Sequence, residues 1–128
     1  MPPVTVLDLP SAIAALRGWG DASRPVLISA EAAALFAGCL WWRRLIDLAV
    51  AETGIGCDDW LDCADAPGQA MAALRVGCRG LIMTPDLPSL PALYAIAAPL
   101  GARIVLGRDR IPMADAPGSD FPTGARAG

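Results

Sequence analysis

Short apolar runs that alternate with longer helical stretches constrain this chain more than any other feature. "PVLIS" (25–29), "DWLDC" (59–63), "GLIM" (80–83) and "RIVL" (103–106) read as strands. Strands of a parallel sheet are covered on both faces, so they show near-continuous apolar runs rather than strict alternation. "VTVL" (4–7) is a weaker run of the same kind, either an edge strand or no strand at all. Between these runs lie segments rich in Ala, Leu and Arg: 11–17, 31–52, 67–76 and 89–100, each followed within two residues by a glycine. Glycine commonly ends a helix because it adopts the left-handed conformation without cost.

The order is therefore β-α repeated and closed by a strand. It predicts a single three-layer α/β domain with a mostly parallel open sheet of four or five strands, flavodoxin-like or Rossmann-like, with helices on both faces. There are too few βα units to close an eight-stranded barrel. Residues 1–107 are expected to form this domain, and 108–128, dominated by Pro, Gly, Ala and Asp without period, an irregular tail. A chain of 128 residues with 55% hydrophobic content can bury a core without staples.

One helical segment is ambiguous. In 31–52 the residues Leu35, Cys39, Trp42, Ile46 and Ala49 share one face, the expected core stripe. Phe36, Leu40, Trp41 and Leu48 lie outside it. Either this is one helix apolar all round, or Gly38 breaks it and 30–39 is a loop with the helix starting near Leu40. Both readings make this segment a ligand lid or a subunit contact, and Phe36, Leu40 and Trp41 are expected to mediate homo-oligomer contact.

Several chemistries are excluded. The chain has no Lys, no Asn and no His. Schiff-base lysines, P-loop lysines, Ser-His or Cys-His pairs and histidine metal ligands are therefore absent. A formal charge of −3 argues against a nucleic-acid partner. Cys39, Cys57, Cys63 and Cys78 show no CxxC spacing, and the first residues lack the pattern of a signal peptide. Free buried thiols in a reducing cytoplasm are expected. The longest uncharged stretch, 87–102, is too short for a membrane span and is interrupted by prolines.

Acid-proline pieces recur: "DLPS" at 8–11 and 86–89, and "ADAPG" at 64–68 and 114–118. The first three stand between a strand and the next helix. Asp is a strong N-cap and Pro is tolerated in the first turn, so Asp8, Asp65 and Asp86 are expected to cap three helices.

In open α/β sheets ligands sit beyond the carboxyl ends of the strands. That position gathers Asp8, Ser29, Asp62, Cys63, Asp65, Thr84 and Gly107. The candidate ligand-binding residues are Asp62, Asp65, Gly68, Ser29 and Asp86; the catalytic candidates are Asp62, Cys63 and Thr84. Alternation puts Asp62 on the face of Trp60, where a buried carboxyl must be neutral or find a partner. No nucleotide-binding glycine motif is present, and the paired acids and lysine of phospho-receiver domains are missing.

"LDCADAPGQAMAALRVGCRGLIM" (61–83), with "VLISAEAAALFAGCLWWRRLIDLA" (26–49), resembles a group of small bacterial α/β proteins without an assigned reaction. The resemblance implies the α/β fold and the importance of the 61–68 loop, and implies no reaction. The expectation is a non-catalytic interaction or small-ligand-binding domain acting as a homo-oligomer, with no cofactor. The alternative is a carboxylate- or Mg²⁺-dependent enzyme at the strand ends using Asp62 and Asp65.

Overall fold

A computed structural model of the chain describes residues 1–112. Five strands form one all-parallel sheet: β1 (Val4–Thr5), β2 (Val26–Ile28), β3 (Asp58–Ala64), β4 (Gly80–Met83) and β5 (Arg103–Val105). The helices are α1 (Leu9–Arg17), α2 (Ala33–Phe36), α3 (Cys39–Thr53), α4 (Pro67–Arg75) and α5 (Leu90–Ala97). The single α/β domain with a parallel sheet is as the sequence predicts, and the weak first run is a two-residue edge strand.

The strand order differs from flavodoxin-like or Rossmann-like winding. It runs β1-β2-β3-β4-β5 without reversal. Each right-handed crossover therefore steps the same way and lays its helix on the same face. One core cluster draws Ala12, Ala34, Ile46, Ala73 and Leu93, one from each helix, against Leu27, Leu61, Leu81 and Met83 of the sheet. The opposite face carries Val26, Ile28, Trp60, Ile82 and Ile111, with Trp19 and Val105 against them and no residue of α1–α5. Among the described residues the domain thus has two layers of regular structure rather than three, and no switch point in strand order.

Register explains the second face. Ile28 pairs with Trp60, and Asp62 with Ile82, which pairs with Val105. Trp60, fully buried, lies over Gly80 of the neighbouring strand. Ile111 joins this cluster, and Arg108–Arg110 forms a 3-10 turn. The expected boundary at 107 therefore falls inside structure that belongs to the domain, whereas the second ADAPG and the rest of the tail lie outside the described residues.

Gly38, at φ +88, breaks the ambiguous helical segment. The 30–39 stretch is not a plain loop, because α2 occupies its middle. Of the expected core stripe, Trp42, Ile46 and Ala49 are buried, but Leu35 is exposed because the break rotates it away. Arg43, a charged residue, takes an inward position instead.

The capping expectation holds for one of three acids. Asp8 caps α1: its carboxylate accepts from Ser11 N at 2.9 Å, and Ser11 Oγ accepts from Asp8 N at 3.1 Å. These hydrogen bonds hold the Asp8 carboxyl below its usual range. Asp65 and Asp86 cap nothing: the N-cap residues of α4 and α5 are Ala66 and Ser89, neither with a side-chain cap bond. Each acid sits too early in its turn to reach the first helical N–H groups.

None of the four cysteines is in a disulfide. Cys39 is half-buried and the other three are buried. Under native conditions a thiol reagent should label Cys39 first, and unfolding should release the remaining three. Labelling of Cys63 at a rate near that of Cys39 would contradict this packing.

Candidate functional site

β3 carries three acids in an apolar sheet, and each meets an arginine. Asp58 accepts from Arg24 Nε at 2.7 Å on the second face. Asp59 turns to the helix layer and faces Arg43 Nη1 at 3.4 Å. Asp62 accepts from Arg108 Nη1 at 3.0 Å. Burying a carboxylate without a partner costs far more than a hydrogen bond returns, so the pairing lets a strand with three acids fold at all. For Arg43, burial opposes the charged form, but Asp59 and then Asp47 outweigh it, and the guanidinium pKa is raised.

Asp62 is the acid at the carboxyl end of the sheet. The β3–β4 register slips between Asp62 and Ala64, a bulge that bends the strand end. Asp62 Oδ1 accepts from Ala64 N at 2.9 Å, closing a tight turn. Its own N–H donates to Ser29 Oγ at 2.9 Å, and Ser29 Oγ donates to Ala30 O at 3.0 Å. Asp62 is thus held through its backbone by Ser29 and through Oδ1 by Ala64 N, and Oδ2 holds Arg108.

A cleft of about 450 Å³ opens there. Its base is apolar, from Ala64, Ile82, Met83 and Pro85. Polar groups come from Glu31, Asp62, Thr84, Arg108 and Asp109. Among the described residues three other than glycine have positive φ: Ala32 and Asp86, in the turns after β2 and β4, and Ala64, the last residue of β3. For Ala this conformation costs on the order of 1 kcal/mol, and such outliers gather at functional loops. Ala32 and Ala64 both line the cleft.

Of the residues expected at the site, Asp62, Thr84 and Gly107 line the cleft and Ser29 supports Asp62 from beneath. The others are elsewhere. Cys63 points to the helix layer, one residue on from Asp62 in strand alternation, and burial pushes its thiol up to about 12. A thiol so held is no nucleophile. Asp65, Gly68 and Asp86 are exposed and none of them lines the cleft. A side chain at Gly68 would meet open space, so no close approach requires glycine there. Among the described residues no three acids or thiols come together as a cation cage.

Sequence reasoning missed Arg108, Glu31 and Asp109. A signal for Arg108 was present: Gly107-Arg108 follows the last apolar run, "RIVL" (103–106), and so lies at the same end of the sheet as Ser29 after β2. Gly107 has φ +130, which turns the chain off β5 and aims Arg108 back at Asp62.

The fold and site together define a singly wound α/β domain with a polar cleft at the strand ends. No family model, curated protein or solved structure matches the chain.

Proposed function

We propose that this chain is a non-catalytic binding domain that takes a small polar ligand in the strand-end cleft. The observation that carries the reading is the Asp62–Arg108 pair. A buried carboxylate, itself held by Ala64 N, fixes a guanidinium at the rim with donors to spare. Pre-fixed polar groups over an apolar base are what small-ligand sites use for orientation. An enzyme using Asp62 and Asp65 fits less well: Asp62 is engaged by Arg108 and Asp65 lies outside the cleft. The test is amide-resonance mapping with short carboxylates, phosphate, amines and sugars in turn. At least one class should shift Ala64, Thr84 and Gly107 together, and Arg108→Gln should weaken that response by about tenfold. Uniform indifference of those three residues would end the reading.

Self-association is the second part of the proposal. Leu35, Phe36 and Leu40 are exposed around the Gly38 break, Phe36 by 71%. Trp41 is only half-buried and stacks near Trp42, with ring centroids 6.0 Å apart, so it supports the patch rather than leading it. Ile111 packs on the opposite side of the sheet. The wild type is expected to sediment as a dimer at high micromolar concentration and Phe36→Glu as a monomer. A monomeric wild type would refute this. Free thiols support a reducing compartment. No described helix is long and apolar enough to cross a membrane.

A further inference from the structure

The cleft's charges do not suit a simple ion. Glu31, Asp62 and Asp109 bring three carboxylates and Arg108 one guanidinium. Asp62 and Arg108 satisfy each other in part, through one Nη1–Oδ2 contact at 3.0 Å. Among the described residues the Nε and Nη2 donors of Arg108 have no partner, and its side chain is 31% exposed. Glu31 and Asp109 are exposed carboxylates on the same cleft.

Consider each ligand class against this lining. A bare anion would gain Arg108 but meet the field of three carboxylates in a partly enclosed space. A bare cation would gain Glu31 and Asp109 but meet the positive charge of Arg108 and leave its spare donors to water. An uncharged sugar could hydrogen-bond these groups through its hydroxyls but would neutralise neither sign of charge. A molecule with both an acid and an amine answers both halves of the lining. Ile82, Met83 and Pro85 then face whatever apolar part it carries.

We infer that the cleft binds a small zwitterion of the amino-acid class, its carboxylate on Arg108 and its ammonium between Glu31 and Asp109. This rests on the reading of the cleft as a ligand site. The volume of about 450 Å³ admits a free amino acid. Arg108 is a suitable carboxylate clamp because a guanidinium offers parallel donors in fixed geometry. Asp62 acts as a positioning residue: it keeps the fork at the rim and does not touch the ligand's acid group.

The experiment is a titration of the ¹⁵N-labelled full chain with the standard L-amino acids, one at a time, at millimolar concentration. At least one should shift Ala64, Thr84 and Gly107 in a saturable way. Its deaminated and decarboxylated analogues should each bind about tenfold more weakly, the equivalent of one lost charge-assisted contact. Arg108→Gln should weaken the amino acid and the deaminated acid while sparing the decarboxylated amine. Arg108→Lys, which keeps a cation beside Asp62 but loses the fork, should weaken the amino acid too and guards against a variant that fails to fold. If an analogue lacking one charge binds as tightly as the amino acid, the zwitterion assignment falls. If no amino acid shifts these resonances but phosphate, a sugar or a simple acid does, the cleft remains a ligand site and only the assignment falls. If nothing shifts them, both fall together.

Discussion

Gly80→Ala is expected to lower stability by about 3 kcal/mol, the upper end of overpacking costs. A Cβ at this position would lie 2.4 Å from Asp59 O and 2.8 Å from two ring carbons of Trp60. The first of these is backbone in the central strand, paired on both sides, and cannot retreat. The second belongs to a fully buried indole. Glycine here lets the ring lie flat across the neighbouring strand, a close approach no other residue permits. Chemical denaturation of wild type and variant measures the loss. Gly68→Ala is the control, since its Cβ meets nothing within 4 Å and alanine favours the helix; it should be neutral or stabilising by roughly 0.5 kcal/mol. Adding Trp60→Leu to Gly80→Ala should restore only part of the loss, because the clash with Asp59 O remains. A Gly80→Ala protein as stable as wild type would mean that Trp60 does not sit where the sheet places it.

The elements were legible in the sequence because their signals are local. Apolar runs mark β2 to β5 and a glycine follows each helix, so the boundaries of α1, α4 and β4 fall within a residue or two of expectation. Strand order was not legible. Doubly wound and singly wound sheets share the same alternation of strands and helices, and only the direction of each step distinguishes them. "RIVL" has the composition of a strand with both faces covered, yet its residues are half-buried at an edge.

The site was half legible for the same reason. Asp62 stands out because an acid inside an apolar run must be explained on the spot. Arg108 is 46 residues away and becomes its partner only when β3, β4 and β5 line up. Cys63 misled because adjacency in sequence is opposition in a strand: neighbours point to opposite faces. Asp65 and Asp86 misled because acid-proline spacing resembles a cap, whereas the turns at Ala64 and Asp86 use left-handed backbone to reach the helix.

Arg43→Met is expected to cost about 3–5 kcal/mol, the range for breaking a buried ion pair from one side. Asp59 is fully buried beneath the helix layer and Arg43 is a guanidinium that faces it, Nη1 to Oδ1 at 3.4 Å and Nη2 to Oδ2 at 3.5 Å. Methionine keeps much of the stem volume and removes only the charge, so the loss reports on the Arg43–Asp59 contact. Asp59→Leu should cost less, because Asp47 still holds Arg43 at 2.9 Å and the long stem can carry the fork outward. Asp47→Ala should cost under about 1 kcal/mol, since that carboxylate is exposed and screened. The decisive protein is the double variant Arg43→Met/Asp59→Leu. With both charges gone, an apolar pair of similar volume fills the space between α3 and β3, and stability should return to within about 1–2 kcal/mol of wild type. If Arg43→Met alone does not fold, recovery of a folded double variant makes the same point. A double variant whose loss equals the sum of the two single losses would show that Arg43 and Asp59 do not act as a pair. A coupling of several kcal/mol would place the pair among the contacts that fix α3 against the sheet, and so fix the Gly38 break and the apolar surface beside it.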